Sequence, residues 1–296
     1  MHAIRCEIDT EFRGTEALAD LAWRWLTEGA ERLEGESFQA VLDSTDLVEE
    51  SLKKAVPCGP PGGLWGFLKV DSVGRGRITN RSKVLTRKNL PNLRKWLISD
   101  VQLAELAIYR LDEQGMPGQE LLRMGVARDE DAEDWVRLSA EAPEGRFAPA
   151  DQPRWTELLR DFSQEVDPSY AQIGYSLTLG RTEHEERVGP PLPELTLPHS
   201  RRLLRGYEWL TVIPREIAQQ LGGAEAIAAG DFHRVETLRD GAVLLQVTPE
   251  FDGFTGGAIE RTWQLLRPAL RPGMPKRYPD SDAVRPPSRL WYADTV

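Results

Sequence analysis

The residues of this 296-residue chain best suited to nucleophilic, acid–base or metal chemistry are four histidines, two cysteines and several carboxylate clusters. In Glu183-His184-Glu185-Glu186 a histidine is flanked by carboxylates, the composition of an acid–base or metal site. A zinc-protease pattern requires a second histidine four residues on, and that position is Val188. His199-Ser200 sets a base beside a hydroxyl, but sequence neighbours rarely reach the geometry of a triad. Cys58 lies in Pro57-Cys58-Gly59-Pro60-Pro61. A reactive thiolate needs a neighbouring histidine, cation or helix N-terminus, and the sequence places none there, so Cys58 reads as an unreactive loop cysteine. Asp129-Glu130-Asp131 and Glu133-Asp134 offer hard-cation donors without the glycine bend of an EF-hand loop, and read as a solvated turn. Glu250 and Asp252 beside a Gly-rich loop read as turn formers rather than a catalytic pair.

The sharpest charge feature is basic. Arg75 to Lys95 carries Arg75, Arg77, Arg81, Lys83, Arg87, Lys88, Arg94 and Lys95 with no acid. Such a strip can release counterions from a phosphate backbone. The net charge of −10 opposes nucleic-acid binding, and no stacking aromatics interleave the basic residues. The expectation is therefore a strip that is solvated or paired with the acidic residues before it. Two cysteines are too few for a disulfide framework, and the first residues lack the charged start and apolar run of a signal peptide, so a cytoplasmic location is expected. No apolar run reaches bilayer length, so no membrane partner is expected.

The elements that must hold these residues can be read from periodicity. Residues 3–9 read as a strand. Residues 14–34 read as a helix striped by Leu18, Leu21, Ala22, Trp25 and Leu26 and stopped at Gly35, and a second helix is expected over 46–55. A helix follows Asn89. Strands are expected over 103–111, 121–127 and 135–140, a helix from Asp151 to Val166, and a strand over 173–180. Residues 181–204 read as an exposed charged connection. Tyr207–Ile213 reads as a central strand, Pro214–Leu221 as a helix, and 232–248 as a hairpin with a type I′ turn at Asp240-Gly241. A helix starts near Ala258. Beyond Arg267 a Pro-rich tail ends in Leu290-Trp291-Tyr292, which should dock on its own domain. The fold class is α+β, an antiparallel or mixed sheet with helices packed on it. The divisions are a mostly helical segment 1–100, an α+β domain 101–270 and a tail 271–296. Two loosely repeated units, 103–180 and 205–270, are one way to group the middle.

From about Trp155 to Pro275 the chain resembles bacterial type VI secretion immunity proteins, a former domain of unknown function. The resemblance is carried by Val166-Asp167-Pro168-Ser169-Tyr170, Leu204-Arg205-Gly206-Tyr207-Glu208-Trp209-Leu210-Thr211-Val212-Ile213-Pro214, Leu221-Gly222-Gly223, Gly241 to Pro249 and Leu265-Leu266-Arg267-Pro268-Ala269-Leu270. It implies a protein that binds and neutralises a cognate toxin, often a nuclease, and brings no catalytic residues, cofactor or metal. The expected reading is thus a non-catalytic binding protein whose acidity suits a basic toxin. Its expected contacts are Glu183, Glu185 and Glu186, with Trp291 and Tyr292 as aromatic anchors. The alternative is an enzyme or small-molecule binder with a pocket between the N-terminal segment and the sheet, using Glu208, His199 and His233.

Overall fold

The computed structural model describes residues 2–12, 14–74, 77–128, 134–190, 192–273, 276 and 285–291. The acidic run 129–133, Arg75 and Tyr292 lie outside them. The chain forms two compact α+β units, one of residues 1–11 and 147–296, the other of residues 12–146. These units follow different lines from the divisions read in the sequence. Strand β1 (Ala3–Glu11) opens the chain and joins the first unit across more than 150 residues, pairing antiparallel with a strand that contains Gly174 and Tyr175. No local pattern can announce such a partner.

The unit of residues 12–146 comprises α1 (Thr15–Asp43), β2 (Leu64–Gly74), β3 (Arg77–Val84), α2 (Leu90–Leu97), β4 (Val101–Leu111), β5 (Pro117–Arg128) and β6 (Trp135–Pro143). Its strands run in the order β3-β2-β4-β5-β6, and each neighbouring pair is antiparallel. The expected stripe Leu18, Leu21, Ala22, Trp25 and Leu26 is the buried face of α1. The helical geometry breaks where the stop was expected, beside Gly35, and a second helical stretch follows. Glu34 leaves helical geometry at φ −137°, ψ 40°, and the helix continues because Phe38, Val41 and Leu42 go on burying apolar surface. The kink is pinned by Arg146, whose Nε donates to Glu34 Oε1 at 3.0 Å. Of the expected helix at 46–55 only a short 3₁₀ turn forms, Glu49–Leu52.

The hairpin β2–β3 was not anticipated from the sequence. β3 is mostly exposed and polar, Arg-Ile-Thr-Asn-Arg-Ser-Lys-Val, and lies last in the strand order. Charge on an edge strand discourages pairing with another chain, and it also hides the apolar alternation that signals a strand. The described part of the basic strip thus divides among an edge strand, the turn that follows it and α2. Several of its charges meet acids: Arg87 Nη2 lies 2.7 Å from Asp43, Arg94 3.4 Å from Asp20, and Lys83 3.9 Å from Glu49. Cys58 is buried in an apolar cluster with Trp65, Val84 and Leu111.

The unit of residues 1–11 and 147–296 adds α3 (Gln152–Val166), β7 (Tyr170–Tyr175), α4 (Glu183–Val188), β8 (Leu210–Ile213), α5 (Arg215–Gln220), α6 (Gly223–Ala228), β9 (Arg234–Thr237), β10 (Val243–Gln246) and α7 (Gly256–Leu266). The strand order is β1-β7-β8-β10-β9, with every pair antiparallel, so β8 is central as expected. Phe147, Trp155, Trp209 and Phe251 pack edge to face at 5.4–5.9 Å between ring centroids and fill one side of this sheet. The expected strand 173–180 is shorter and lies earlier. The expected hairpin forms with a different turn. Gly241 N donates to Leu238 O and Leu238 N to Ala242 O, and Gly241 alone of Asp240 and Gly241 has positive φ, +86°. That is a type I turn closed by a left-handed glycine. Glu250 and Asp252 flank and form an exposed 3₁₀ turn. Among the described residues no helix is long and apolar enough to cross a membrane.

Candidate functional site

The segment expected to be an exposed charged loop is the structural centre of the first unit. Thr182 caps α4. Its Oγ1 accepts from Glu185 N at 3.1 Å, and its own N donates to Glu185 Oε2 at 2.8 Å, a capping box that fixes the inward direction of Glu185. His184 and Glu185 are therefore buried, and the reading of this segment as a solvated loop is corrected. The physical reason lies twenty residues away. Arg205 is fully buried, and its Nε and Nη2 grip Glu185 at 2.7 and 2.8 Å. Its Nη1 reaches Glu7 at 3.2 Å and Asp9, both inward-facing on β1, and Nη2 donates to Gly180 O at 2.9 Å. Tyr170 lies under the guanidinium at 5.4 Å.

This cluster is electrostatically closed. Burial opposes the charge on Glu185, but Arg205 and the hydrogen bonds from Thr182 and Thr196 hold its carboxyl below the usual carboxylate range. Burial likewise opposes the charge on Arg205, and Glu185, Asp9 and Glu7 hold its pKa well above the ordinary value. The phenol of Tyr170 is pushed well up by burial and by Glu7, so it stays neutral and donates to Gln172 Oε1 at 2.6 Å. The cluster was missed in the sequence because Arg5, Glu7 and Asp9 alternate with Ile4, Cys6 and Ile8, the pattern of a strand with one wet face. Both faces of β1 are in fact buried over residues Cys6–Thr10.

A second group of carboxylates is arranged differently. Tyr175 and Leu177, Glu183, Glu186 and Arg187 of α4, Glu208, and residues 285–287 wall an open cleft with a cavity volume of about 30 Å³. The C-terminal segment is laced to α4 here. Ser288 Oγ and Arg289 N donate to the two oxygens of Glu183 at 2.5 and 2.8 Å, and Arg187 Nε donates to it at 2.7 Å. Arg285 lies 3.4 Å from Glu186. Arg289 stacks 3.6 Å over Phe251 and 4.7 Å over Tyr175 and donates to Phe251 O at 3.1 Å. Trp291 N donates to Tyr207 Oη at 2.9 Å, so the described end of the tail docks on its own unit.

Glu208 is 4% exposed, and its Oε2 has no hydrogen-bond partner. Burial, reinforced by the charge of Glu183, pushes its carboxyl well above the ordinary value. Gly174 of β7 makes its position possible, since a Cβ there would lie 2.4–2.6 Å from the Glu208 side chain.

The alternative trio of Glu208, His199 and His233 is not assembled in this cleft. His199 and His233 are exposed, and neither lines it. His199 instead borders a smaller hollow with His184, Glu185 and Arg205. There Glu185 is spent on Arg205, and His184 Nε2 meets Arg271 O at 3.1 Å, with burial lowering its pKa. Within the unit of residues 12–146 a small hollow lies among α1, α2 and that unit's own strands, lined by Leu18, Ala22, Leu97, Val126 and Arg128, but it holds none of the three. Among the described residues no group of three or more His, Cys, Asp or Glu could hold a metal ion.

The sequence matches no protein-family model, and no curated protein matches it. The fold is shared with a T6SS protein. The chain superposes on the Pseudomonas aeruginosa T6SS protein PA0821 with a TM-score of 0.52, covering 91% of this chain and 74% of that one. Identity is 14%, so the likeness establishes the fold alone.

Proposed function

We propose that this is a binding protein of the immunity type, which neutralises a cognate toxin by direct protein–protein contact. The observation that supports it most is the likeness of fold to T6SS protein PA0821 over nearly the whole chain. It agrees with the family resemblance carried by residues 155–275. Net acidity adds to it, since a charge of −10 accelerates encounter with a basic partner such as a nuclease. The buried polar groups of the Arg205 cluster are consumed in holding the fold, which fits a rigid binder better than a catalyst. The contact face is the outer side of α4 and the adjoining tail, with Glu183, Glu186 and Trp291 partly exposed and Tyr292 next along the chain. Glu185 serves that face from behind, through Arg205.

Coexpression with the toxin encoded beside its gene tests the reading. Growth should be rescued and a stable complex recovered. The pair Glu186→Lys and Trp291→Ala should weaken that complex by tenfold or more, about 1.4 kcal/mol. Absence of binding to the neighbouring gene product overturns the proposal.

A further inference from the structure

Glu208 is a buried carboxyl in the wall of an open cleft, and its Oε2 has no protein partner. Natural structures rarely leave such a group unsatisfied without a use for it. The neighbouring charges are otherwise engaged. Arg187 serves Glu183 and Arg285 serves Glu186, while Arg289 stacks on Phe251 and Tyr175, donates to a backbone carbonyl and through its charge partly offsets the burial of Glu208. What the cleft offers a visitor is the Glu208 carboxyl, set among the ion pairs Glu183–Arg187 and Glu186–Arg285 and bordered by Leu177, Pro286 and Pro287. We propose that this cleft is a recognition site for one organic cation, an alkylammonium or guanidinium group whose N–H donates to the carboxyl of Glu208, with its alkyl part against the apolar wall. The inference stands whether or not the protein is an immunity protein.

The proton balance makes the site distinctive. Glu183, Glu186 and Arg187 face Glu208 from α4, Arg285 and Arg289 from the C-terminal segment, and Glu7 acts on it from β1. Without a ligand, burial favours the protonated carboxyl. Entry of the cation displaces that proton to the buffer, while every N–H of the ligand is kept. The charge inside the cleft is unchanged by this exchange, so no uncompensated ion is buried.

Titration calorimetry of the full-length protein with n-butylguanidinium and n-butylammonium, in buffers of different ionisation enthalpy between pH 5 and 8, tests it. Binding should saturate at one site. Affinity should rise about tenfold per pH unit, with one proton released, until Glu208 ionises, and then level off. Tetramethylammonium, equally charged but without N–H, should bind at least tenfold more weakly. Glu208→Gln should abolish proton release and weaken binding tenfold or more, and Glu186→Gln, at the cleft rim, should weaken it severalfold. A tripeptide carrying one internal arginine that binds like n-butylguanidinium assigns the cation to a protein side chain. Its exclusion while the small cation binds assigns a free amine, and either result upholds the site. No saturable binding of either cation, binding without pH linkage in the wild type, or preference for butyrate over both cations overturns the proposal.

Discussion

Two sets of carboxylates lie in the same unit and share α4, yet they are built to opposite ends. Around Arg205, the carboxylates of Glu7, Asp9 and Glu185 converge on one guanidinium whose donors are filled by acids and by Gly180 O. Around Glu208, Glu183 and Glu186 are matched by Arg187 and Arg285, and the central carboxyl is left over. The first arrangement locks β1, α4 and the stretch before β8 together. The second leaves one buried carboxyl oxygen unmet in a residue that lines an open cleft. A buried ion cluster with every donor filled is a structural clamp, whereas one missing a partner is a candidate recognition site.

Removing the cation of the closed cluster should have the largest effect. Arg205→Met removes the cation shared by Glu7, Asp9 and Glu185, leaving Arg5 beside Glu7 at 3.0 Å, and should cost about 3–5 kcal/mol in urea unfolding. A loss under about 1 kcal/mol would mean that the three acids escape to water and that the clamp is not closed.

Gly174→Ala should come next, at about 1–3 kcal/mol, because its methyl group would collide with the Glu208 side chain. Combined with Glu208→Ala, most of that loss should be recovered, a coupling that a double-mutant cycle reads directly. Additive losses would show that Gly174 is needed for another reason.

The smallest effect should be in pH dependence, where the two sets have opposite signs. Glu185 has a lowered folded pKa, so its contribution is present above the unfolded carboxylate value and is lost as pH falls through the folded one. Glu208 has a raised folded pKa, so it favours the folded state at low pH and that advantage is lost as pH rises from the unfolded value through the folded one. Within that second window the limiting slope for one proton is about 1.4 kcal/mol per pH unit. Stability of Glu208→Gln, compared with wild type by thermal melts across pH 4–8, should lack the falling component. Identical slopes would show that Glu208 is ionised and satisfied in the folded state.

Much of the scaffold was legible in the sequence because it is local. The stripe of α1, the strands at 103–111 and 135–140, the helix from Asp151 and the central strand before Pro214 are fixed by period and punctuation, and the α+β class follows from them. Elements whose signal depends on distant partners were misread. β3 looks like a basic loop because it is an edge, and α4 looks like a solvated loop because its charges are answered elsewhere.

The residues proposed for function divide in the same way. His199 and His233 invite attention by type, and tertiary structure leaves both exposed and outside the cleft. Glu185 and Arg205 carry no mark in the sequence that ties them together, nor do Gly174 and Glu208. Sequence by itself determined which segments could be helix or strand, since those preferences act within a turn or a pleat. Tertiary structure alone decided which charges are neutralised and which carboxyl is left without a partner. Desolvation and ion pairing act through space over a few ångströms, between residues up to about 200 positions apart along the chain.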